Sequence, residues 1–348
     1  MTARRAFVAT VSRVVLLLAL AIAMLAVLLI ATGHDVIPAL AAMVRGAFGS
    51  YYAITSATIV RMVPLALAGL AVSVAFRAGI LNIGAEGQLL VGAAAATAIS
   101  GAVGGVPWFI GIPVMLMAGA TAGGAWAAIA GALRLRFGVL EVISTIMLNF
   151  VAQYLTGWLV RGPLQEPTRV NPQSASLAPG LQMPVLLDGT RLHAGVVVAV
   201  VAAVAVWWWL RSTSSGFRLR AVGANATAAA SAGGIDVPRT MFSAFLMSGL
   251  LAGLAGAVEY TGITYALYEN FSPGYGYTAI AVALLARLHP LGVLATALLF
   301  GALEAGANAM QRDAGVPSVV VSVVEALLIL LVLAADRWRP SRADETGT

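Results

Sequence analysis

Residues 53–76 read AITSATIVRMVPLALAGLAVSVAF, a run in which Arg61 is the one charged position. At about 1.5 Å per residue, a helix of this length crosses the ~30 Å hydrocarbon core of a bilayer. Arg61 and Pro64 are the two interruptions in it. The next stretch, 76–88, reads FRAGILNIGAEGQ. Its Gly79, Gly84 and Gly87 break any simple helix, while Asn82, Glu86 and Gln88 gather polarity into one junction. An apolar span followed by a broken polar junction sets the terms for the rest of the chain.

Composition extends the pattern. Of 348 residues, 60% are apolar and 10% are charged, against roughly a quarter charged in soluble domains. Mean hydropathy is +0.94. Such a chain has too little polar surface for a water-facing globule, which excludes a soluble enzyme, a disordered segment and a nucleic-acid-binding domain. Cysteine is absent, so disulfides, thiolate metal sites and Cys nucleophiles are excluded. All 20 basic residues are arginine. Without lysine there is no G-x-x-x-x-G-K-[ST] phosphate loop and no Schiff-base chemistry. Energy for uphill transport must then come from a partner subunit or an ion gradient. No metal and no cofactor is expected.

Ten candidate spans follow: 14–31, 53–76, 89–106, 109–133, 142–160, 194–210, 241–258, 277–286, 291–310 and 316–335. The eighth is too short to cross unless its Gly-rich lead-in helps, so spanning and re-entry both stay open for it. The sequence thus predicts one all-α integral membrane domain over 1–348. It divides into a tail at 1–13, a bundle at 14–335, an outer loop at 161–193, an inner loop at 211–240 and a tail at 336–348. Ten crossings from a cytoplasmic N-terminus place most of the arginines inside, including Arg4, Arg5, Arg13, Arg77, Arg211, Arg218, Arg220 and Arg239, which supports both termini in the cytoplasm. Trp207–Trp209 fit an aromatic belt at the inner interface.

Polar residues recur on helix faces. Glu141, Thr145, Asn149 and Gln153 are four apart. Glu304, Asn308 and Gln311 fall at i, i+4, i+7, as do Ser318, Ser322 and Glu325. Glu304 and Glu325 are placed to share a level if their helices run antiparallel. A buried carboxylate costs several kcal/mol in a membrane, so these faces turn to a cavity or to polar neighbours. For Thr145, Ser318 and Ser322 interhelical bonding is favoured, and Glu141 reads as interfacial. For Asn149, Glu304 and Asn308 bundle bonding and a substrate path stand equal. The candidate path comprises Asn82, Glu86, Gln88, Asn149, Gln153, Glu304, Asn308 and Glu325.

The stretch 260–277, with Pro273, Gly274 and Gly276, is a rough counterpart to 76–88. Paired breaks in two halves point to a transport site in repeat-built transporters. Segments two to five and seven to ten would be two halves of inverted topology. Tyr260, Tyr265, Tyr268, Phe271, Tyr275 and Tyr277 crowd this stretch, as a stacking surface for a sugar or base ring or as an outer aromatic belt. The pairs Gly101/Gly105, Gly119/Gly123 and Gly249/Gly253 have the spacing that brings helices close in lipid. His34 and His193 fall in outer loops and His289 in an inner turn; no motif makes any of them a ligand or base.

The inner loop holds an Ala-rich stretch, 224–232, with Asn225 as N-cap and Gly233-Gly234 as its stop, which predicts a short helix between two spans. FRAGILNIGAEGQ at 76–88, EVISTIMLNF at 141–150, GFRLRAVGAN at 216–225 and AIAVALLARLHPLGVLATALLFGAL at 279–303 resemble the permease subunits of bacterial ABC importers for branched-chain amino acids and simple sugars. They look most like the nucleoside and simple-sugar branch. The resemblance covers about 63–335. It implies a non-enzymatic subunit in the bacterial plasma membrane, spanning the lipid bilayer and binding no nucleic acid. It also implies three protein partners: an ATP-binding subunit, a second permease and an extracytoplasmic binding lipoprotein. The short inner helix would then dock into the ATPase, with Arg218, Arg220, Asn225, Ala229, Gly233 and Gly234 as coupling residues. The helix departs from the usual pattern, with Ala226 where Pro is often found and no acidic residue at 227–230. The cargo this implies is a nucleoside or simple sugar, then a branched-chain amino acid. A proton-coupled secondary transporter working through Glu304 or Glu325 is the rival.

Overall fold

The computed structural model describes residues 19–20, 22–317, 319–320, 322–323 and 326. The expected tails at 1–13 and 336–348, most of the span at 316–335 and the start of that at 14–31 lie outside them, with Ser318 and Glu325. Two compact units divide the chain.

The larger unit runs from Ile54 to Ala302. A π-helical turn, Ala53–Thr58, leads into α3 (Ile59–Arg77). The chain continues through α4 (Ala85–Ser100), α5 (Trp108–Phe137), α6 (Glu141–Arg161), α7 (Gly195–Ser212), α8 (Ser214–Ala224), α9 (Ala226–Gly233), α10 (Val237–Glu259) and α11 (Tyr275–Leu285). α12 (Pro290–Ala314) gives its first part to this unit. The smaller unit holds α1 (Ile22–Ala31), α2 (Val36–Phe48) and the rest of α12. There α2 packs on α12 through glycines: a Cβ added at Gly306 would lie 2.9 Å from the Met43 carbonyl oxygen.

Six helices among the described residues are long and apolar enough to cross a membrane: Ala53–Arg77, Trp108–Phe137, Glu141–Arg161, Gly195–Ser212, Val237–Thr264 and Pro290–Ala314. The chain is a multi-pass membrane protein. Two expected spans are shorter than a bilayer. α4 ends at Ser100, where a turn begins, and its 16 residues reach about 24 Å. α11 has 11 residues, about 17 Å, and cannot cross. Neither Arg61 nor Pro64 breaks the helix they sit in, which runs unbroken from Ala53 to Arg77.

α3 and α10 are apolar around their circumference and buried over most of their length, as helices at the middle of a bundle must be. α10 meets α5 where Gly249 and Gly253 face Gly119 and Gly123. A Cβ at Gly123 would lie 2.6 Å from the Gly253 Cα, so only glycine permits this approach. α4 meets the same helix, with Gly256 facing the Leu89 backbone. Gly101 and Gly105 fall in the turn after α4 with no such neighbour, so their spacing does no packing. The outer faces of α6 and α7 expose Ile143, Met147, Phe150, Tyr154, Trp158, Val197, Val201 and Trp208, an apolar surface fit for lipid or another helix.

Candidate functional site

The site begins where α3 ends. Gly79 turns the chain at φ +75°, a left-handed conformation that glycine adopts without strain. Three residues on, Asn82 organises the junction. Its Oδ1 accepts from the Gly84 N–H at 2.9 Å and from Gln88 Nε2 at 3.2 Å, while its Nδ2 donates to Ser248 Oγ on α10 at 2.9 Å. From α6, Asn149 closes the other side: its Oδ1 accepts from the Gly87 N–H at 2.8 Å and its Nδ2 donates to the Ile83 carbonyl at 2.9 Å. Thr145 accepts from the Ile83 N–H at 3.3 Å. The polar face of α6 is therefore spent on orphan backbone groups of a helix break, which bear a high cost when left unpaired in a bilayer.

The second break mirrors this one. Ser272 Oγ accepts from the N–H groups of Gly274 and Tyr275 at 3.1 Å each, opening α11, and its hydroxyl hydrogen-bonds the Glu86 carboxylate. The Gly276 N–H donates to Glu86 Oε2 at 2.7 Å. The N-termini of the two short helices thus abut, with one carboxylate against the positive end of α11.

Beside the join lies a cavity of about 250 Å³ lined by Glu86, Leu90, Asn149, Gln153, Thr156, Asn270, Ser272, Pro273, Gly274 and Tyr277. Asn149 Nδ2 donates to the Tyr277 hydroxyl at 3.3 Å and Gln153 Nε2 to Asn270 Oδ1 at 3.4 Å. The loop at 161–193 packs onto the segment after α10: the N–H groups of Ser174, Leu177 and Met183 donate to the carbonyls of Leu267, Tyr265 and Thr261 at 2.7, 2.7 and 2.9 Å. Arg161 pairs with Glu269 at 2.6 Å.

Of the expected path residues, Glu86, Asn149 and Gln153 come together here. Asn82 and Gln88 are buried, bonded to each other, and do not line the cavity. Glu304 and Asn308 lie in the smaller unit, where Asn308 Nδ2 donates to the Glu304 carbonyl at 3.0 Å. Glu325 is outside the described residues. Thr156, Asn270 and Ser272 join the lining without being singled out by the sequence. Thr156 continues the Asn149–Gln153 face by three positions, a signal the four-residue spacing passed over. Asn270 and Ser272 carry no periodic signal, because they sit in a turn. Of the six clustered aromatics, Tyr277 alone lines the cavity; Tyr260 and Phe271 are core residues.

The expected short helix is α9. Asn225 caps it, its side chain accepting from the Ala228 N–H at 2.9 Å, and Gly234 ends it at φ +57°. Gly233 is its last helical residue. Arg218 and Arg220 sit on a separate helix, α8, and are exposed; Ala229 is buried within the chain. Glu141 pairs with Arg134 across the α5–α6 turn. Near the far end of α10, buried Glu259 faces Arg61 and Arg191. His193 is buried beside Gly195 and Gly262. Burial, and then the nearby Arg191 charge, pull its pKa down to about 4.

Broken helices meeting N-terminus to N-terminus in an apolar bundle, with a polar cavity at the join, define a membrane transport protein. The chain belongs to the family described as branched-chain amino acid transport system / permease component, whose profile matches residues 54–333. It is 41% identical to a guanosine ABC transporter permease protein of Bacillus subtilis, over 89% of each chain. It is 38% identical to a glucose ABC transporter permease protein of Haloferax volcanii, over 92% of this chain and 87% of the relative. A second guanosine ABC transporter permease protein of Bacillus subtilis is 28% identical, over 80% of this chain and 90% of the relative. No solved structure matches the chain. It is a permease subunit of an ABC transporter, and the ATPase activity lies in a separate subunit.

Proposed function

We propose that the chain forms half of the translocation path of an importer for nucleosides or simple sugars, with the cavity at Glu86 and Asn149 as part of that path. The carrying observation is its lining. The amides of Asn149, Gln153 and Asn270, the hydroxyls of Thr156 and Ser272 and the Tyr277 phenol surround it, and no arginine does. Amides and hydroxyls exchange hydrogen bonds with a neutral polyol or base, and Tyr277 offers a ring to stack on. The zwitterion of a branched-chain amino acid needs a partner for its carboxylate, and Glu86 already occupies the positive end of α11. The guanosine and glucose named for two relatives agree with a neutral cargo.

The finer architecture follows the same reading. α3, a break and α4 correspond to α10, a break and α11, as two halves of inverted topology. The cross-packing supports this: Gly256 of α10 faces α4, and Gly69 of α3 faces Val282 of α11. Both termini lie in the cytoplasm of a bacterial cell, and α9 is the helix that receives the stroke of the ATP-binding subunit. Asn225 and Gly234 fix its ends. Ala229 seats it, and Arg218 and Arg220 flank it. An extracytoplasmic lipoprotein delivers cargo above the 161–193 loop. The second permease is a non-identical chain: Bacillus subtilis has two guanosine permease proteins similar to this one. Glu304, Asn308 and Glu325 remain proposed path residues on their helical spacing in the sequence alone.

Proteoliposomes test the reading. Labelled nucleoside or glucose should enter only when the permease pair, the ATPase, the binding lipoprotein and ATP are all present. Uptake by this chain alone under a pH gradient would overturn it in favour of a proton-coupled carrier.

A further inference from the structure

A second cavity, of about 290 Å³, opens where α3, α7, α8 and the start of α12 come together. Arg77, Arg211, Arg220, His289, Trp207, Leu210 and Pro290 line it. None of the seven is acidic. Arg77, Arg211 and Arg220 take no part in the ion pairs of Arg134, Arg161 and Arg239, so they bring three positive charges to a wall that holds no carboxylate.

The fold holds these charges in place. A Cβ at Gly223 would lie 2.8 Å from the Arg77 carbonyl carbon, so the end of α8 seats directly on the end of α3. That seating sets Arg220 within repelling distance of Arg77. Arg77 Nε donates to the Leu288 carbonyl at 2.7 Å, which fixes the guanidinium in the cavity wall. Leu288 and its neighbour Arg287 hold φ of +58° and +52°, a left-handed pair costing about 1 kcal/mol or more per residue. Arg211 Cζ lies over the Trp207 ring, 5.7 Å from its centroid, a cation–π contact that holds the guanidinium against the wall. The 25-residue α12 begins at Pro290, adding the positive end of its dipole.

We propose that this cavity binds a phosphate group, and that its source is the headgroup of an anionic phospholipid. Guanidinium edges match phosphate oxygens in paired, charge-assisted hydrogen bonds, and an anion relieves the Arg77–Arg220 repulsion. The surroundings select lipid over free phosphate. Trp208 and Phe217, on the two helices that supply Trp207, Arg211 and Arg220, are exposed, and such aromatics sit at the membrane–water boundary where lipid phosphates lie.

Native mass spectrometry of the full-length permease in detergent tests this, with phosphatidylglycerol, phosphatidylcholine and inorganic phosphate as probes. Wild type should retain phosphatidylglycerol in preference to phosphatidylcholine. The double variant Arg77→Gln/Arg220→Gln should weaken that preference roughly tenfold, the loss expected for a charge-assisted hydrogen bond. Arg77→Lys/Arg220→Lys should keep most of it. If the neutral pair fails to fold, Arg211→Gln carries the same comparison. Displacement of the lipid by millimolar inorganic phosphate would support the phosphate site and move its source to solution. Equal retention of both lipids by wild type, or an unchanged preference in the neutral variants, overturns the proposal. So does loss of ATPase-subunit association with lipid retention intact, which would assign the arginines to a protein carboxylate. None of these readouts depends on transport, so failure of the importer reading leaves the result standing.

Discussion

The Gly276 N–H donates to Glu86 Oε2 at 2.7 Å, and this bond ties the first turn of α11 to the first turn of α4. The backbones touch at the same point: a Cβ at Gly276 would lie 2.7 Å from the Ala85 carbonyl carbon. Two helix N-termini would ordinarily repel through their dipoles. One carboxylate between them offsets that repulsion and completes the join. The cavity beside it exists because the helices stop there instead of running through.

Gly276→Ala should therefore force α11 off α4. Overpacking of this kind costs about 1–3 kcal/mol. Reconstituted uptake should fall sharply while membrane insertion is unchanged, and the unfolding midpoint in detergent should drop. An alanine variant with wild-type uptake and midpoint would show that the join yields freely.

Asn149 and Gln153 sit one turn apart, yet their replacement should separate two effects. Asn149→Leu removes the partners of the Gly87 N–H and the Ile83 carbonyl, and stranded buried groups cost about 1–3 kcal/mol each. It should lower both stability and uptake. Gln153 is exposed and bonds Asn270 at 3.4 Å. Gln153→Leu should change stability by no more than ~0.5 kcal/mol and raise the half-saturating cargo concentration. Thermal scans beside concentration-dependent uptake separate the two.

Much of this was legible in the sequence because a bilayer makes polarity expensive. FRAGILNIGAEGQ advertised its break through glycines and its importance through three polar residues, and Asn225 and Gly234 framed α9 almost to the residue. What escaped was tertiary. Nothing local in 78–88 says that Asn82 answers Ser248, far along the chain. α2 escaped because Asp35 and Arg45 interrupt its apolar run, and α8 because arginines and glycine dilute its helical pattern. Asn270 and Ser272 entered the site through a turn, where no periodicity exists to reveal which side chains point inward.

α9 depends on its cap more than a longer helix would, since 8 residues propagate few hydrogen bonds. Asn225→Ala removes the acceptor for the Ala228 N–H and costs about 1 kcal/mol of helix stability. In the assembled transporter, ATP hydrolysis should continue while uptake per ATP falls. Asn225→Asp or Asn225→Ser should restore coupling. Ala229→Glu should do more damage, because Ala229 is buried and a charged side chain there unseats the helix before any partner is met.

His193 makes stability depend on pH. Its folded pKa is about 4, lowered from 6.5 first by burial and then by the Arg191 charge. The unfolded chain takes up a proton near pH 6.5 that the folded chain refuses until about pH 4. The stabilisation is therefore fully present above pH 6.5 and is lost progressively as pH falls between these values, by about 3 kcal/mol for a shift of this size. Detergent unfolding midpoints should drop as pH is lowered from 7 to 4.5. His193→Gln, which cannot titrate, should flatten that slope, whatever it does to the midpoint at pH 7. The Gly195 N–H now donates to Nδ1 at 3.1 Å, and the glutamine carbonyl offers an acceptor in its place. A slope unchanged by the substitution would move the acid sensitivity to another group.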